Sequence, residues 1–156
     1  MLKDRLIVGA LVGLLADAVK LAANYLAFLL GYTNVVFWQI TAARFLNKGD
    51  LLKPVALLVG AVADLTVTSV LGVVFLYLID KTGKNYLWIK GIGFGLAVWV
   101  GLFGTLLRQS IQGKLPQSSS GILVTIVAHI IFGLSLAFFT WLYYRYRLRR
   151  GLRRHP

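Results

Sequence analysis

The sequence predicts an all-α polytopic membrane protein, a four-transmembrane-helix bundle with a short interfacial helix between spans one and two. Of its 156 residues, 58% are hydrophobic and 14% are charged, and the mean hydropathy is +0.77. Soluble domains are nearer ~45–50% apolar and ~25% charged. The apolar residues also form four runs close to or above the ~20 residues that a helix needs to cross a bilayer. Together these observations leave almost no room for a soluble domain.

Taken in order, the four spans are predicted at about residues 6–30, 54–79, 87–107 and 121–144, within a single membrane domain, 1–156. Pro54 suits the first turn of span two, where a missing backbone N–H costs nothing. The turn-forming stretch 116–121 precedes span four. Between spans one and two, the aromatic stretch around Trp38 is too short to cross the bilayer. We expect it to form a short helix in the interface, with Trp38 at headgroup depth.

The first span also has features of a signal peptide. Lys3 and Arg5 precede an apolar run, and Ala16-Asp17-Ala18 resembles a small-x-small cleavage site. The apolar run continues well beyond Ala18, however. We therefore expect an uncleaved span.

Lys and Arg residues are unevenly distributed between the two predicted sides of the membrane. The side with residues 1–5, 81–90 and 145–156 holds 11 of the 17, the other side holds 5, and Lys20 lies within span one. The positive-inside rule therefore places both termini in the cytoplasm, and the basic tail 145–156 decides the orientation. Each tail arginine near the surface attracts anionic lipid headgroups by roughly 1 kcal/mol. The predicted lipid-contacting residues are Arg145, Arg147, Arg149, Arg150, Arg153 and Arg154. Since the tail directly follows a span and no nucleic-acid-binding module is present, we expect no nucleic-acid partner.

Four ionisable residues within the spans are the strongest functional signal. They are Asp17, Lys20, Asp64 and His129. A charge at the bilayer centre costs ~2.5–3.5 kcal/mol on insertion scales, so such residues should face the bundle interior in pairs. Asp17 and Lys20 share a helix face, and we expect Asp64 to pair with Lys20 or His129. The cluster is either a proton or ion relay, or a polar ligand pocket, or a structural clasp that fixes helix register.

Small residues form stripes that predict close helix packing. The predicted packing glycines are Gly9, Gly13, Gly91, Gly95 and Gly101. Packing within one chain is favoured over a homodimer interface. Spans two and four share the pattern Val62-Ala63-Asp64 and Val127-Ala128-His129, which suggests two repeated hairpins with Asp64 and His129 at equivalent depths. The hydroxyl groups that follow Asp64 are expected to bond carbonyl groups one turn back.

The residue inventory excludes several kinds of chemistry. The chain has no Cys and no Glu, and its two histidines include one in the basic tail. Thiolate metal sites, iron–sulfur clusters and a bis-histidine haem are therefore not expected. No nucleotide-binding or hydrolase motif occurs. We expect no cofactor, no metal and no enzymatic activity.

The layout resembles that of small, uncharacterised four-span membrane proteins of Gram-positive bacteria. The resemblance lies in Gly9 and Gly13 before Asp17 and Lys20, in the glycine-rich stretch 91–104, and in His129-Ile-Ile-Phe-Gly133. It implies a location in the bacterial cytoplasmic membrane and implies no activity. The first functional hypothesis is a non-enzymatic accessory or interaction subunit of a membrane assembly, with a membrane-protein partner or a second copy of itself. The alternative is a small proton- or ion-coupled transporter or channel-like protein that uses the intramembrane cluster. A third, an enzyme acting on lipid or quinone, has no specific support.

Overall fold

A computed structural model of the protein describes residues 4–106 and 113–152, with side chains described over 4–105 and 113–147. The helices are α1 (Arg5–Leu29), α2 (Phe37–Ala42), α3 (Pro54–Thr82), α4 (Leu87–Gly101) and α5 (Ser119–Leu152). A short 3₁₀ turn spans Lys48–Asp50, and α4 continues as a π-helix over Leu102–Leu106. The described chain is an all-α bundle, as the sequence predicts. Four of its helices are long and apolar enough to cross a membrane.

The predicted span boundaries agree with the helices to within a few residues, except at the end of span four. There α5 runs without a break through Tyr144 to Leu152, so the first part of the predicted tail continues the helix. Arg145 and Arg147 are exposed on this extension. The side chains of Arg149 and Arg150, and all of Arg153 and Arg154, lie outside the described part of the structure.

The four long helices pack on one another in the order α3, α1, α5, α4, and α3 and α4 then face each other through Phe75 and Phe94. We call the end that carries Arg5 and Arg145 the basic end, and the opposite end the α2 end. At the basic end, a turn over residues 83–86 connects α3 to α4. Gly83 ends α3 with a φ of 80°, a conformation that suits glycine. An apolar core, including Phe75, Leu76, Phe132 and Leu136, fills this half of the bundle.

Glycines set the closest helix crossings, and they do so in the same way in both halves of the chain. A Cβ on Gly72 of α3 would overlap the Gly9 carbonyl oxygen and the Gly13 nitrogen of α1. A Cβ on Gly133 of α5 would overlap the Gly91 carbonyl oxygen of α4 in the same manner. Only glycine allows backbones this close. The structure thus has two hairpin pairs, α1–α3 and α4–α5, with equivalent crossings.

The glycine contacts fix the register between the two hairpins. A Cβ on Gly13 would overlap the carbonyl oxygen of Thr68, and a Cβ on Gly95 would overlap that of His129. Thr68 on α3 therefore has the same position relative to its helix crossing as His129 on α5 has relative to the other crossing. The predicted equivalence of Asp64 with His129 is wrong by one helical turn, because the short sequence match carries no information about where the helices cross.

Gly101 is a second correction. A Cβ on Gly101 would meet no atom within 4 Å in the described part of the chain, and the residue is exposed. Gly93, Ala97 and Gly101 follow one another at four-residue steps, a spacing that predicts helix packing. The packed face of α4 is instead the one with Gly91 and Gly95. Gly101 lies on another face, where α4 gives way to the π-helix.

The predicted helix between spans one and two is present as α2, and it is more deeply buried than an interfacial helix needs to be. Phe37, Ile40 and Ala42 are buried inside the α2 end of the bundle. A Cβ on Gly60 of α3 would overlap the carbonyl oxygen of Trp38, so α2 lies directly on α3. Thr41 Oγ1 also donates to the Gly60 carbonyl at 3.2 Å. As a result, α2 covers the end of the bundle opposite the basic end.

Candidate functional site

The central feature of the site is an ion cluster between α1 and α3. Lys20 Nζ lies 2.6 Å from Asp17 Oδ1 and 2.9 Å from Asp64 Oδ1. All three side chains are buried, at 2%, 0% and 5% exposure respectively. The predicted pairing of Asp64 with Lys20 is confirmed. The i, i+3 spacing on α1 places Asp17 and Lys20 on one face, and the close α1–α3 crossing brings Asp64 to the same ammonium.

The formal charges of this cluster do not balance. Two carboxylates share one ammonium, which leaves one negative charge if both carboxyl groups are ionised. Asp64 Oδ2 is buried and has no hydrogen-bond partner among the described residues. The hydroxyl group of Thr68 does not supply that partner, since it donates to the Asp64 backbone carbonyl at 2.8 Å. A buried carboxylate without a compensating donor is costly, so the cluster has the capacity to accept another proton or cation.

A cavity of about 210 Å³ lies beside the cluster. Lys20, Asp64 and His129 contribute its ionisable walls, and Arg44 lies at its exposed edge. The remaining lining is almost wholly apolar, apart from two threonines. The side chains that complete the wall are Phe37, Thr41, Phe45, Ala63, Val67, Thr68, Leu71, Val98, Leu102, Phe103 and Phe132. Pockets of this kind, apolar with a few convergent polar groups, are typical of ligand sites.

Aromatic rings surround the ionisable groups of the cavity. The ammonium of Lys20 lies 4.0 Å from the centroid of the Phe37 ring and 5.6 Å from that of Phe132. The His129 ring is 5.7 Å from Phe37 and meets Phe103 edge-on at 5.4 Å. The negative face of a phenyl ring stabilises a cation in such a position. The cavity therefore combines aromatic faces with the side chain of Asp64 in its wall.

His129 does not pair with Asp64. Its Nδ1 donates to the Thr125 carbonyl oxygen at 2.8 Å, one turn back along α5. A carbonyl oxygen only accepts, so this contact fixes the proton on Nδ1 and leaves Nε2 as the second ring nitrogen. Trp99 Nε1 donates to the hydroxyl oxygen of the same Thr125 at 3.0 Å. His129 thus belongs to the cavity wall on the α4–α5 side rather than to the ion cluster.

The residues that position the cavity's α2 wall were not predicted from the sequence. Asn24 Oδ1 accepts a hydrogen bond from the Phe37 backbone N–H at 2.8 Å, which attaches the start of α2 to α1. Asn24 is a buried amide within an apolar span, and that was the available signal. The importance of Phe37 and Arg44 has no comparable signal, because loop aromatics and loop cations are common near membrane surfaces.

The other predicted contacts lie away from the cavity. Thr66 and Ser69 donate to carbonyl oxygens one turn back, at 2.7 and 2.6 Å, as predicted. At the basic end, Arg147 Nη1 donates to the Tyr143 hydroxyl at 3.4 Å, and Arg145 lies 5.1 Å from the Trp141 ring. In the described part of the chain, no three His or Asp side chains converge as a metal site would require.

Comparison of this chain with protein-family models, curated proteins and solved structures gave no match. The functional argument therefore depends on the geometry of the site itself.

Proposed function

We propose that this protein is a small proton-coupled membrane transporter whose proton site consists of Asp17, Lys20 and Asp64. The observation that carries the proposal is the presence of two buried carboxylates on one ammonium at the wall of a cavity. Such a cluster is stabilised when it takes up one more positive charge. A proton site at the wall of a ligand cavity couples ligand occupancy to protonation, because both change the same local charge.

The charge imbalance favours this function over a purely structural clasp. A clasp between α1 and α3 requires one carboxylate for one ammonium, and the pair of Lys20 on α1 with Asp64 on α3 would suffice without Asp17. Asp17 is therefore a second carboxylate that adds a buried negative charge, and neither Asp17 Oδ2 nor Asp64 Oδ2 has a hydrogen-bond partner among the described residues. Such a costly feature in a membrane span points to a pathway or binding role. The accessory-subunit hypothesis accounts for neither the extra carboxylate nor the cavity.

We further propose that the protein resides in the cytoplasmic membrane of a bacterium, with both termini in the cytoplasm and without enzymatic activity. The excess of Lys and Arg on the side of the termini supports this orientation. Exposed Arg145 and Arg147 at the basic end are suited to contact anionic headgroups of the inner leaflet.

The proton site is tested by recording charge displacement on a solid-supported membrane after a pH step. Wild-type protein is expected to give a transient current as the cluster binds or releases protons. Asp64→Asn leaves one carboxylate for one ammonium, so its current should fall at least fivefold. Asp17→Asn balances the charges in the same way and should behave alike, which guards against a folding defect in one variant.

Asp50→Asn is the matched control, because Asp50 also pairs with a lysine at i, i+3, at 2.7 Å, but in an exposed position. This variant should keep the wild-type current. Equal currents in wild type, Asp64→Asn and Asp17→Asn, or no current from folded wild-type protein, would overturn the proposed proton site.

A further inference from the structure

The cavity also indicates what kind of substrate it takes. We infer that it binds an organic cation with a compact apolar body, which reaches the cavity sideways between α3 and α4. The exchange with a proton described below rests on the proposed function. The route and the binding chemistry follow from the cavity walls alone.

The route follows from the way in which α3 and α4 separate. At the basic end they are joined by the 83–86 turn, and the Phe75 and Phe94 rings are in contact with centroids 5.2 Å apart. Towards the α2 end, Leu71 and Val67 on α3 and Val98 on α4 line the cavity. Val67 is 40% exposed on the outer surface of the bundle. The gap therefore opens towards the hydrocarbon region of the bilayer.

The chemistry of the walls selects for charge as well as shape. Asp64 Oδ2 is an acceptor without a donor, and it lies on a side chain only 5% exposed. The phenyl rings of Phe37, Phe103 and Phe132 line the same space. Aromatic faces beside a carboxylate bind ammonium groups in an apolar setting, and the attraction is strongest when water is excluded. When both Asp17 and Asp64 are ionised, the cluster keeps one negative charge beyond that of Lys20, which disfavours an anion.

Among the described residues, the charged and titratable groups beside the cavity come from α1, α3, α5 and the segment that follows α2, and the ion cluster is net negative when both of its carboxyl groups are ionised. α1 contributes Lys20, with Asp17 behind it; α3 contributes Asp64; and α5 contributes His129. The described lining residues of α4 and its π-helical extension are apolar. Arg44 has the same charge as the substrate but is exposed at the α2 end. Its repulsion disfavours access from that end and favours the α3–α4 gap.

Cation and proton compete for the one excess negative charge of the cluster. When the cation binds, the Asp64 carboxylate accepts its charge, and the proton that the cluster held is released to solvent, so one positive charge replaces another. Binding should therefore strengthen with pH by about tenfold per unit wherever the free site is protonated. Above that range the affinity should become independent of pH.

The probe for this inference is benzyltrimethylammonium, tested by titration calorimetry with the full-length protein in lipid nanodiscs. Neopentylbenzene has the same shape, with carbon in place of the charged nitrogen, and benzenesulfonate carries the opposite charge. We expect the cation to bind at least tenfold more tightly than either control. Buffers of different ionisation enthalpy should report about one proton released per cation. Asp64→Asn should weaken cation binding at least tenfold, while Asp50→Asn should not.

The route is tested with Val67→Trp, which places a bulky ring at the gap. This variant should slow cation association at least fivefold in stopped-flow measurements. Val62→Trp is the matched control, since Val62 is 62% exposed on the same helix and does not line the cavity. Equal association rates for both variants would refute the sideways route.

The outcomes separate this inference from the proposed function. If the pH-step current is present but benzyltrimethylammonium binds no better than neopentylbenzene, the organic-cation substrate is wrong and the proton site stands. If the cation binds selectively without proton release, the cation site stands and proton coupling is wrong.

Discussion

Removal of the Lys20 ammonium should destabilise the bundle strongly. Lys20→Met keeps the length and apolar stem of the side chain but leaves Asp17 and Asp64 without their shared cation, which lies 2.6 and 2.9 Å away. Both carboxyl groups are at most 5% exposed, so water cannot replace the lost partner. Loss of one partner from a buried ion pair typically costs ~3–5 kcal/mol. We expect a loss of that size in the free energy of unfolding at neutral pH.

The assay is reversible unfolding in mixed micelles with increasing denaturing detergent, followed by circular dichroism. The loss should shrink at acidic pH, because protons then neutralise the two carboxylates in place of the ammonium. A triple variant, Lys20→Met with Asp17→Asn and Asp64→Asn, should recover at least half of the lost stability, since no uncompensated charge remains. If Lys20→Met cost under about 1 kcal/mol at neutral pH, or if the triple variant lost as much, the three groups would not act as one buried charge cluster.

Three further predictions concern the fold. Gly133→Ala should cost ~1–3 kcal/mol in the same unfolding assay, because its Cβ would overlap the α4 backbone, whereas Gly101→Ala should change little; similar costs would contradict the crossing. Asn24→Leu removes the acceptor at the start of α2 and should raise hydrogen exchange in α2 at least tenfold, as seen by mass spectrometry, while exchange in α5 stays constant. Since the chain has no Cys, single cysteines at Lys84 and Gly49 can report orientation: in intact cells an impermeant maleimide should label the Gly49 position only, and the reverse pattern would contradict cytoplasmic termini.

The number and position of the spans could be predicted from the sequence because hydrocarbon imposes a simple rule. A long apolar run must satisfy its own backbone, and a helix is the way to do this with one segment. The same rule explains why Asp64 pairs with Lys20, since a charge in a span has few places to go. These predictions require only the composition of each segment and the free-energy cost of placing polar groups in hydrocarbon.

The details that the sequence did not predict depend on how the helices cross. Gly101 belongs to a second stripe of small residues on α4, with Gly93 and Ala97 at four-residue steps, and only the backbone contacts show that the close crossing uses Gly91 and Gly95 instead. The equivalence of Thr68 with His129 likewise became visible only from backbone contacts. The burial of Phe37 depends on the hydrogen bond from its backbone to Asn24, a contact between segments that composition does not specify.

The cavity was equally inaccessible to sequence analysis. It exists because α3 and α4 separate beyond Phe75 and Phe94, and that separation reflects the order in which the helices pack. The sequence does not specify how far apart α3 and α4 lie. The cluster of ionisable residues was therefore predictable, but its position at the wall of a cavity was not.

The central claim is that the Asp17–Lys20–Asp64 cluster takes up one additional positive charge. Infrared difference spectroscopy of the protein in nanodiscs, in light and heavy water, tests this most directly through the carbonyl stretch of a protonated carboxyl group. Acidification should produce one such band from a buried site in wild-type protein, and the band should be absent from Asp64→Asn and Asp17→Asn but present in Asp50→Asn. A band that persists in both cluster variants, or no band in wild-type protein at any pH at which it is folded, would contradict the account.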